Sequence, residues 1–194
     1  MSGQLDKTVS DNWTCVENED KIKIFTRLSD STNLKELRIL VEMSGRIDTL
    51  IHIINDANNF KDWVYKCRKS APLKVPNGYQ FAYTATTDFP FPLSDRELVA
   101  ISKQWVDDEG RFITYGVSSF DYTPLNDGVV RIGHYESKWQ IESLGDGKIF
   151  IDYTSSVDPG GHIPNWVVNL AITTGPLKTF TKLIELVEKR SSVN

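Results

Sequence analysis

Capacity for acid–base chemistry is concentrated in the stretch His134-Tyr135-Glu136. Because side chains alternate along a strand, the imidazole and the carboxylate would share one face and the phenol would occupy the other. Tyr83, Tyr135 and His134 each carry a group that can donate or accept a proton when a substrate is held beside it. The reaction that these residue types allow is therefore proton transfer.

Motifs for other kinds of site do not occur in the sequence. His52 and His162 are solitary, and there is no Cys-x-x-Cys or His-Glu-x-x-His pattern for a metal. The turn Gly145-Asp-Gly-Lys148 lacks the Gly-x-x-x-x-Gly-Lys-Ser/Thr pattern of a phosphate loop, and no Gly-x-Ser-x-Gly nucleophile elbow is found. We therefore expect no metal and no cofactor.

The composition is typical of a globular domain. The chain has 194 residues, of which 40% are apolar and 25% charged, with a net charge of −4. This length suits one domain, which we expect over residues 1–194 with its core at about 12–190. The acidic balance argues against a nucleic-acid partner. No apolar run is long enough to span a bilayer and no secretory signal is recognisable, so we expect a cytoplasmic protein.

Alternating apolar residues and short turns predict an antiparallel sheet. The segment WTCVENEDKIKIFTRL is typical of two strands and LKELRILVEM of a third. Six more candidates follow, separated by turn-forming residues: KCRKSAPLKV, GYQFAYTATT, RELVAISKQWV, RFITYGVSSF, VVRIGHYESKWQIESL and KIFIDYTSSV. Consecutive strands joined by short turns indicate a meander rather than a parallel βαβ sheet.

Two segments have helical periodicity. Apolar residues recur at helical spacing over roughly residues 47–60, which predicts an amphipathic helix. A second helix begins near Pro164, a residue suited to the first helical position, and is apolar around most of its circumference. Gly175-Pro176 should kink it, because Pro176 cannot donate to the carbonyl four residues earlier. Lying across the concave face of the sheet, this helix would form the uncharged roof of an apolar chamber.

Four segments, in their order and spacing, resemble the START domains, the steroidogenic-acute-regulatory-protein-related lipid-transfer modules: DFPFPLSDRELV, VVRIGHYES, IESLGDGK and DPGGHIPNWVVN. The resemblance covers about residues 12–190 and is nearest to the phosphatidylcholine-transfer members. It implies an α+β helix-grip fold, in which a curved antiparallel sheet is closed by a long C-terminal α-helix around an apolar cavity. It also implies a lipid or sterol-like ligand in that cavity and no catalysis.

On the strand that begins at Asp95, the resemblance turns the face of Leu98 and Ser102 inward. In several steroid-binding and phospholipid-binding relatives the position of Ser102 holds a basic residue that meets the ligand or a buried acid. Serine removes that charge, which argues against a phosphate-bearing ligand. We expect Arg96 to form a structural ion pair at the start of the strand.

On the strand that begins at Val129, the resemblance turns Tyr135, Ser137 and Trp139 inward. Tyr135 matches an aromatic residue that helps to cage choline in phosphatidylcholine-binding relatives. A cage for a quaternary ammonium needs several rings. Each of these rings is either part of such a site or ordinary core, and the other candidates are Trp63, Tyr83 and Tyr115.

The last helix and one loop offer further contacts. Asn165, Asn169 and Thr173 form one polar line, which is either the solvent face or a set of hydrogen-bond partners for a headgroup. We favour Asn169 as a ligand contact, with Thr173 and Trp166 as further candidates. The loop Phe89-Pro90-Phe91-Pro92 either packs under the sheet edge or touches a bilayer during loading.

The sequence therefore predicts a domain that binds a lipid or other hydrophobic small molecule, with possible transient membrane contact and no nucleic acid. One alternative is a polyketide cyclase or aromatase of the broader superfamily, which would use Tyr83, Tyr135 or His134 as acid or base in the same chamber. Another is a ligand-sensing interaction module, with an apolar patch that changes on binding.

Overall fold

The computed structural model describes residues 12–30, 34–161 and 163–192. Within these residues, ten strands form one sheet. The strands are β1 (Thr14–Glu19), β2 (Ile22–Leu28), β3 (Lys35–Ser44), β4 (Cys67–Pro72), β5 (Phe81–Thr87), β6 (Asp95–Val106), β7 (Phe112–Ser118), β8 (Val129–Arg131), β9 (His134–Gly145) and β10 (Lys148–Asp158).

The sheet is curved and open, and its main path is antiparallel, as the sequence predicts. The strand order along that path is β1-β2-β3-β10-β9-β7-β6-β5-β4, so the N-terminal strands lie beside the last one. One departure from the prediction is β8, which pairs in parallel with the start of β6. The segment expected as one strand from Val129 is therefore broken: the Ile132 N–H donates to the carbonyl of Glu97 at 2.9 Å, and β9 begins only at His134.

The first helix, α1 (Ile47–Ile54), is shorter than the predicted helix over 47–60. A separate 3₁₀ turn follows at Ala57–Asp62. The side chain of Asn59, inside this turn, donates to the carboxylate of Asp56, which lies between the turn and α1, at 2.6 Å. Because Asn and Asp side chains offer local hydrogen bonds that compete with helical ones, this Asn- and Asp-rich run ends the helix early.

The C-terminal helix consists of α2 (Asn165–Asn169), a π-helical turn (Leu170–Thr174) and α3 (Gly175–Ser191). Pro176 lacks an N–H, and its ring conflicts with the carbonyl four residues back. The helix is widened by the π-helical turn, which ends immediately before Gly175. The interruption predicted at Gly175-Pro176 is therefore observed as a π-helical turn rather than as a break.

The hydrophobic core lies between the inner face of the sheet, α1 and α3, and it establishes the predicted helix-grip arrangement. Helix α3 contacts β2, β3 and α1. Its buried stripe has the spacing of one helical face and consists of Phe180, Leu183, Ile184 and Val187. Among the described residues, no helix combines the length and apolar character required to cross a membrane.

Candidate ligand-binding cavity

A cavity of about 580 Å³, here called the chamber, lies between the inner face of the sheet and the C-terminal helix. Strands β3, β5, β6, β7, β9 and β10 line it, together with the 3₁₀ turn and the loop after β5. One stripe of the C-terminal helix closes it, with residues spaced about one turn apart: Val167, Ala171, Gly175, Pro176, Thr179 and Phe180. The expected roof is therefore present.

Two serine hydroxyls lie on the floor of the chamber. Ser102 of β6 pairs with Gly116 of β7, and Gly116 pairs with Ser137 of β9. A Cβ atom on Gly116 would lie 2.9 Å from Ser102 Oγ and 3.2 Å from Ser137 Oγ. The glycine thus lets two hydroxyls on alternate strands approach each other across a floor that has no side chain between them.

Three phenols, those of Tyr83, Tyr135 and Tyr153, face the chamber from β5, β9 and β10. Burial raises the pKa of Tyr83 and of Tyr153 well above the ordinary value, and the neighbouring Tyr135 adds to this effect. Both phenols therefore stay neutral at physiological pH and act as hydrogen-bonding groups there.

Aromatic rings form two walls of the chamber. Trp139, Tyr153 and Phe180 are mutually packed, with ring centroids 4.7 to 5.5 Å apart. On the other side, Phe60 meets Trp63 at 5.5 Å and Tyr83 at 5.0 Å, both edge to face. Such contacts fix ring positions and leave their remaining surface for an apolar ligand.

A pair of amides lies at the far end of the chamber. Gln104 Nε2 donates to Asn55 Oδ1 at 2.7 Å, and Asn55 Nδ2 returns a longer bond of 3.4 Å to Gln104 Oε1. The chamber follows β6 from Leu98 to Gln104, a distance of about 20 Å at roughly 3.3 Å per residue. It is therefore elongated along this strand.

Arg96 holds the opposite end of the chamber together. Its Nε donates to the carbonyl of Pro159 at 2.7 Å and its Nη2 to that of Gly160 at 3.0 Å. The guanidinium also lies 4.5 Å from the centre of the Phe89 ring. The expected ion pair is thus replaced by bonds to carbonyls, which attach the segment before α2 to the start of β6.

The structure brings seven of the residues proposed from sequence to the chamber. One comes from the end of the 3₁₀ turn, and the others lie on the inner faces of β5, β6 and β9, where alternate side chains point to the same side. They are Trp63, Tyr83, Leu98, Ser102, Tyr135, Ser137 and Trp139. Their grouping is a fact of the fold, and their role as ligand contacts stays a prediction.

Four proposed contacts lie elsewhere. Tyr115 is on the outer face, opposite Lys103 and Lys138, because its neighbours in β7 occupy the inner face. Trp166 is 54% exposed, and Asn169 is exposed as well. The Thr173 hydroxyl is directed back along the helix, where it donates to the carbonyl of Asn169 at 3.0 Å. The Asn165 side chain and His162 are outside the described residues.

Other lining residues were not proposed from sequence. Alternation groups Tyr153 and Ser155 on one face of β10, and their pairing with Trp139 and Ser137 of β9 in the structure makes that face the inner one. No sequence pattern links Asn55 with Gln104, because their approach depends on how α1 ends against β6. His134, the candidate base, is not among the lining residues; its Nε2 lies 3.2 Å from Ser156 Oγ.

Comparisons with known proteins agree with this architecture. The START domain family model matches residues 7–190. Phosphatidylcholine transfer protein of Rattus norvegicus is 29% identical over 171 residues, covering 84% of this chain and 78% of its own. An uncharacterised protein of Pseudomonas aeruginosa is 23% identical over 188 residues, which cover 97% of this chain and 93% of that protein. The crystal structure of a STAR-related lipid transfer protein fragment from Xanthomonas axonopodis superposes with a TM-score of 0.82 at 25% identity, covering 92% of this chain and 99% of that one.

Proposed function

Because this chain belongs to the START domain family, we propose that it carries one lipid or similar amphipathic molecule in the chamber. The family and the relatives support lipid binding or transfer in general. The observation that carries the proposal for this chain is the chamber itself, which is walled by aromatic rings and closed by a helix. A cavity of this size and character falls in the range of small-molecule sites.

Apolar burial supplies the main binding energy. Removing methylene groups from water contributes about 0.8 kcal/mol each, and the walls around Phe60 and Phe180 provide the apolar surface. We assign the ligand contacts to the seven sequence-proposed residues that line the chamber, joined by Tyr153 and Phe180. Tyr115, Trp166, Asn169 and Thr173 are not part of this site.

Ligand exchange requires the chamber to open. We assign the opening to the segment 163–174, in which the π-helical turn precedes Gly175, and to the loop 88–94 that faces it. Phe91 in that loop is 96% exposed and Trp166 on α2 is 54% exposed. These two rings are suited to touch a bilayer during loading, because aromatic side chains partition to membrane interfaces.

Binding without catalysis is the function that we favour over a cyclase. A general base must be deprotonated near neutral pH, whereas the pKa of Tyr83 and that of Tyr153 are raised. His134 is not among the lining residues. Tyr83 and Tyr153 are therefore better suited to hydrogen bonding than to proton abstraction.

Native mass spectrometry of the freshly purified protein tests the proposal. We expect a mass increment that corresponds to one bound lipid, which solvent extraction then identifies. A protein that carries nothing and takes up no fluorescent lipid would contradict the carrier function and favour a small-molecule enzyme. Turnover of a polyketide by that empty protein would establish the alternative.

A further inference from the structure

Four residues in register form one row across the floor of the chamber. Ser155 of β10 pairs with Ser137 of β9. Ser137 in turn pairs with Gly116 of β7, which pairs with Ser102 of β6. The three serines line the chamber and are 4 to 8% exposed. Because paired residues of neighbouring strands point to the same face, the row is a line of hydroxyls that is interrupted at the glycine.

The space over Gly116, here called the notch, is bounded by two hydroxyls and the edge of a ring. A Cβ atom on Gly116 would lie 2.9 Å from Ser102 Oγ, 3.2 Å from Ser137 Oγ and 3.7 Å from Tyr135 Cε1. Both serine oxygens are therefore directed towards the same point above the glycine. Since each hydroxyl can donate and accept, both can bond to a single oxygen atom that enters the notch.

The two hydroxyls are open to the chamber and have no partner in the protein. None of the hydrogen bonds formed among the described residues involves Ser102 Oγ or Ser137 Oγ. The described side-chain atoms that are both unpaired and sealed from any open space are Trp63 Nε1 and Ser70 Oγ, not the two oxygens of the notch. These oxygens therefore face the chamber that both serines line. Hydroxyls in an enclosed site are almost always hydrogen-bonded, so a ligand is the suitable partner.

Formal charge lies far from the notch. Among the described lining residues only Lys66 and Asp88 are charged, and they lie together, because the Asp88 N–H donates to the Lys66 carbonyl at 2.9 Å. Asp88 directly follows Thr87, which pairs with Arg96. Arg96 precedes Ser102 by six residues of β6, a distance of about 20 Å at roughly 3.3 Å per residue. A charge buried without a partner is strongly unfavourable, so the group suited to the notch is uncharged.

From the row, the unpaired hydroxyls and the neutral surroundings, we propose that the notch over Gly116 binds one uncharged oxygen of the ligand, which hydrogen-bonds to Ser102 and Ser137 together. A hydroxyl or a carbonyl oxygen meets this requirement, since a serine can donate to either. The ligand class is therefore a lipid with an alcohol, ester or amide oxygen beside its apolar part. The inference rests on the proposed carrier function and deepens it by naming the polar group that the chamber takes.

A panel of compounds with one chain type tests the preference for an uncharged oxygen. Delipidated full-length protein is titrated by calorimetry with cyclodextrin-solubilised oleyl alcohol, octadecene, oleate and oleylamine near neutral pH. We expect oleyl alcohol to bind at least about tenfold more tightly than oleate or oleylamine, which must bury a charge. Equal or tighter binding of either charged compound would overturn the inference and leave the carrier function intact. If none of the four binds, a protein that carries a lipid in native mass spectrometry contradicts the inference alone, and a protein that carries nothing contradicts the carrier function.

The Gly116→Ala variant tests the notch, because its methyl group fills the gap and leaves both serines in the chain. The methyl carbon would lie 2.9 Å from Ser102 Oγ, so this hydroxyl must turn away. Affinity for oleyl alcohol should fall at least about fivefold, the effect of one lost hydrogen bond, whereas affinity for octadecene should not change. Gly133→Ala is the matched control, since a Cβ atom on Gly133 meets nothing within 4 Å. The melting temperatures of both variants are compared first.

The double variant Ser102→Ala/Ser137→Ala removes the two hydroxyls without adding volume, so it gives the answer even if Gly116→Ala does not fold. We expect the same loss for oleyl alcohol and none for octadecene. Ser143→Ala is the control for loss of a serine hydroxyl, because Ser143 is exposed and not among the lining residues. An equal loss for octadecene in the double variant, or unchanged affinity for oleyl alcohol, would overturn the role of the notch.

Discussion

Arg131 donates from both Nε and Nη2 to a single carboxylate oxygen of Glu97, at 2.8 and 2.6 Å. The pair is nearly inaccessible, with 3% and 2% of the two side chains exposed. The Asn126 side chain donates to the other carboxylate oxygen, and Arg131 Nη1 donates to the carbonyl of Phe120 at 2.8 Å. One ion pair thus joins β6, β8 and the long connection between β7 and β8.

Removing one member of this pair should destabilise the fold. Arg131→Met leaves the Glu97 carboxylate buried and unpaired, so the free energy of unfolding in urea should fall by about 3–5 kcal/mol. The double variant Glu97→Gln/Arg131→Met should lose less than the sum of its single variants. Arg46→Met is a control at an exposed pair with Asp48, where a loss of about 1 kcal/mol or less is expected. Equal losses at both sites would contradict the buried role.

A positive charge on the floor of the chamber should weaken binding of a neutral lipid. Ser102→Arg places an unpaired guanidinium beside Ser137, and we expect at least about a tenfold loss in affinity from the cost of burying that charge. Ser143→Arg is the matched control, because Ser143 is exposed and is not among the lining residues. Fluorescence titration of both variants, after their melting temperatures are compared, makes the measurement. Unchanged affinity in Ser102→Arg would show that Ser102 does not face the ligand.

Backbone amides near the opening should respond to ligand. In hydrogen exchange, residues 163–174 and the loop 88–94 should be more protected in lipid-loaded than in delipidated protein, because the ligand stabilises the closed state. Strand β2 has no residue among the described lining of the chamber and serves as the internal reference. Equal protection of both segments in the two states would rule out the proposed opening.

Exposed rings at the opening should matter for transfer but not for equilibrium binding. Phe91→Ser should slow lipid transfer between vesicles several-fold and leave affinity and stability unchanged, because the 96% exposed ring packs against little of the protein. Trp105→Ser is the control, since it removes an exposed ring at the opposite end of β6. Transfer that proceeds at the same rate in all three proteins would exclude this membrane contact.

The enclosed phenols should make stability depend on alkaline pH. The folded pKa of Tyr83 is raised, so the folded state keeps a proton that the unfolded chain releases above about pH 10. Stability from this group is therefore complete below about pH 10 and is lost as the pH rises further, by about 1.4 kcal/mol per pH unit. Tyr83→Phe should remove that part of the loss between about pH 8 and pH 11 in urea unfolding. An unaltered slope would mean that this phenol ionises in the folded protein.

Local patterns were sufficient for much of the fold. Strand alternation placed Ser137 and Trp139 on one face of β9, and the family resemblance indicated that this face and the Ser102 face of β6 point inward; all three residues line the chamber. The continuous apolar spacing over 47–60 did not reveal the break after Ile54, because side chains of Asn and Asp compete there with the helical bonds.

Orientation around the C-terminal helix was less predictable. Asn169 and Thr173 were proposed as contacts because they belong to one polar line on the helix and because the family resemblance places Asn169 along the roof. The helix is apolar on most sides, so periodicity alone does not decide which side faces the sheet. The orientation depends on how Phe180 and Leu183 of α3 pack on the core, and on the π-helical turn that changes the phase of α2 relative to α3. Neither can be derived from one segment alone.

The attachment of the roof at both ends has a kinetic consequence. Arg96 fixes the segment before α2, and α3 is embedded in the core, so the moving part of the roof is confined to residues 163–174, together with the loop 88–94. Ligand release through so small a rearrangement exposes little new surface, and its rate should depend only weakly on urea well below the unfolding midpoint. The residence time of the ligand and the lifetime of the native state are then set by different barriers, and evolution can adjust one while leaving the other unchanged.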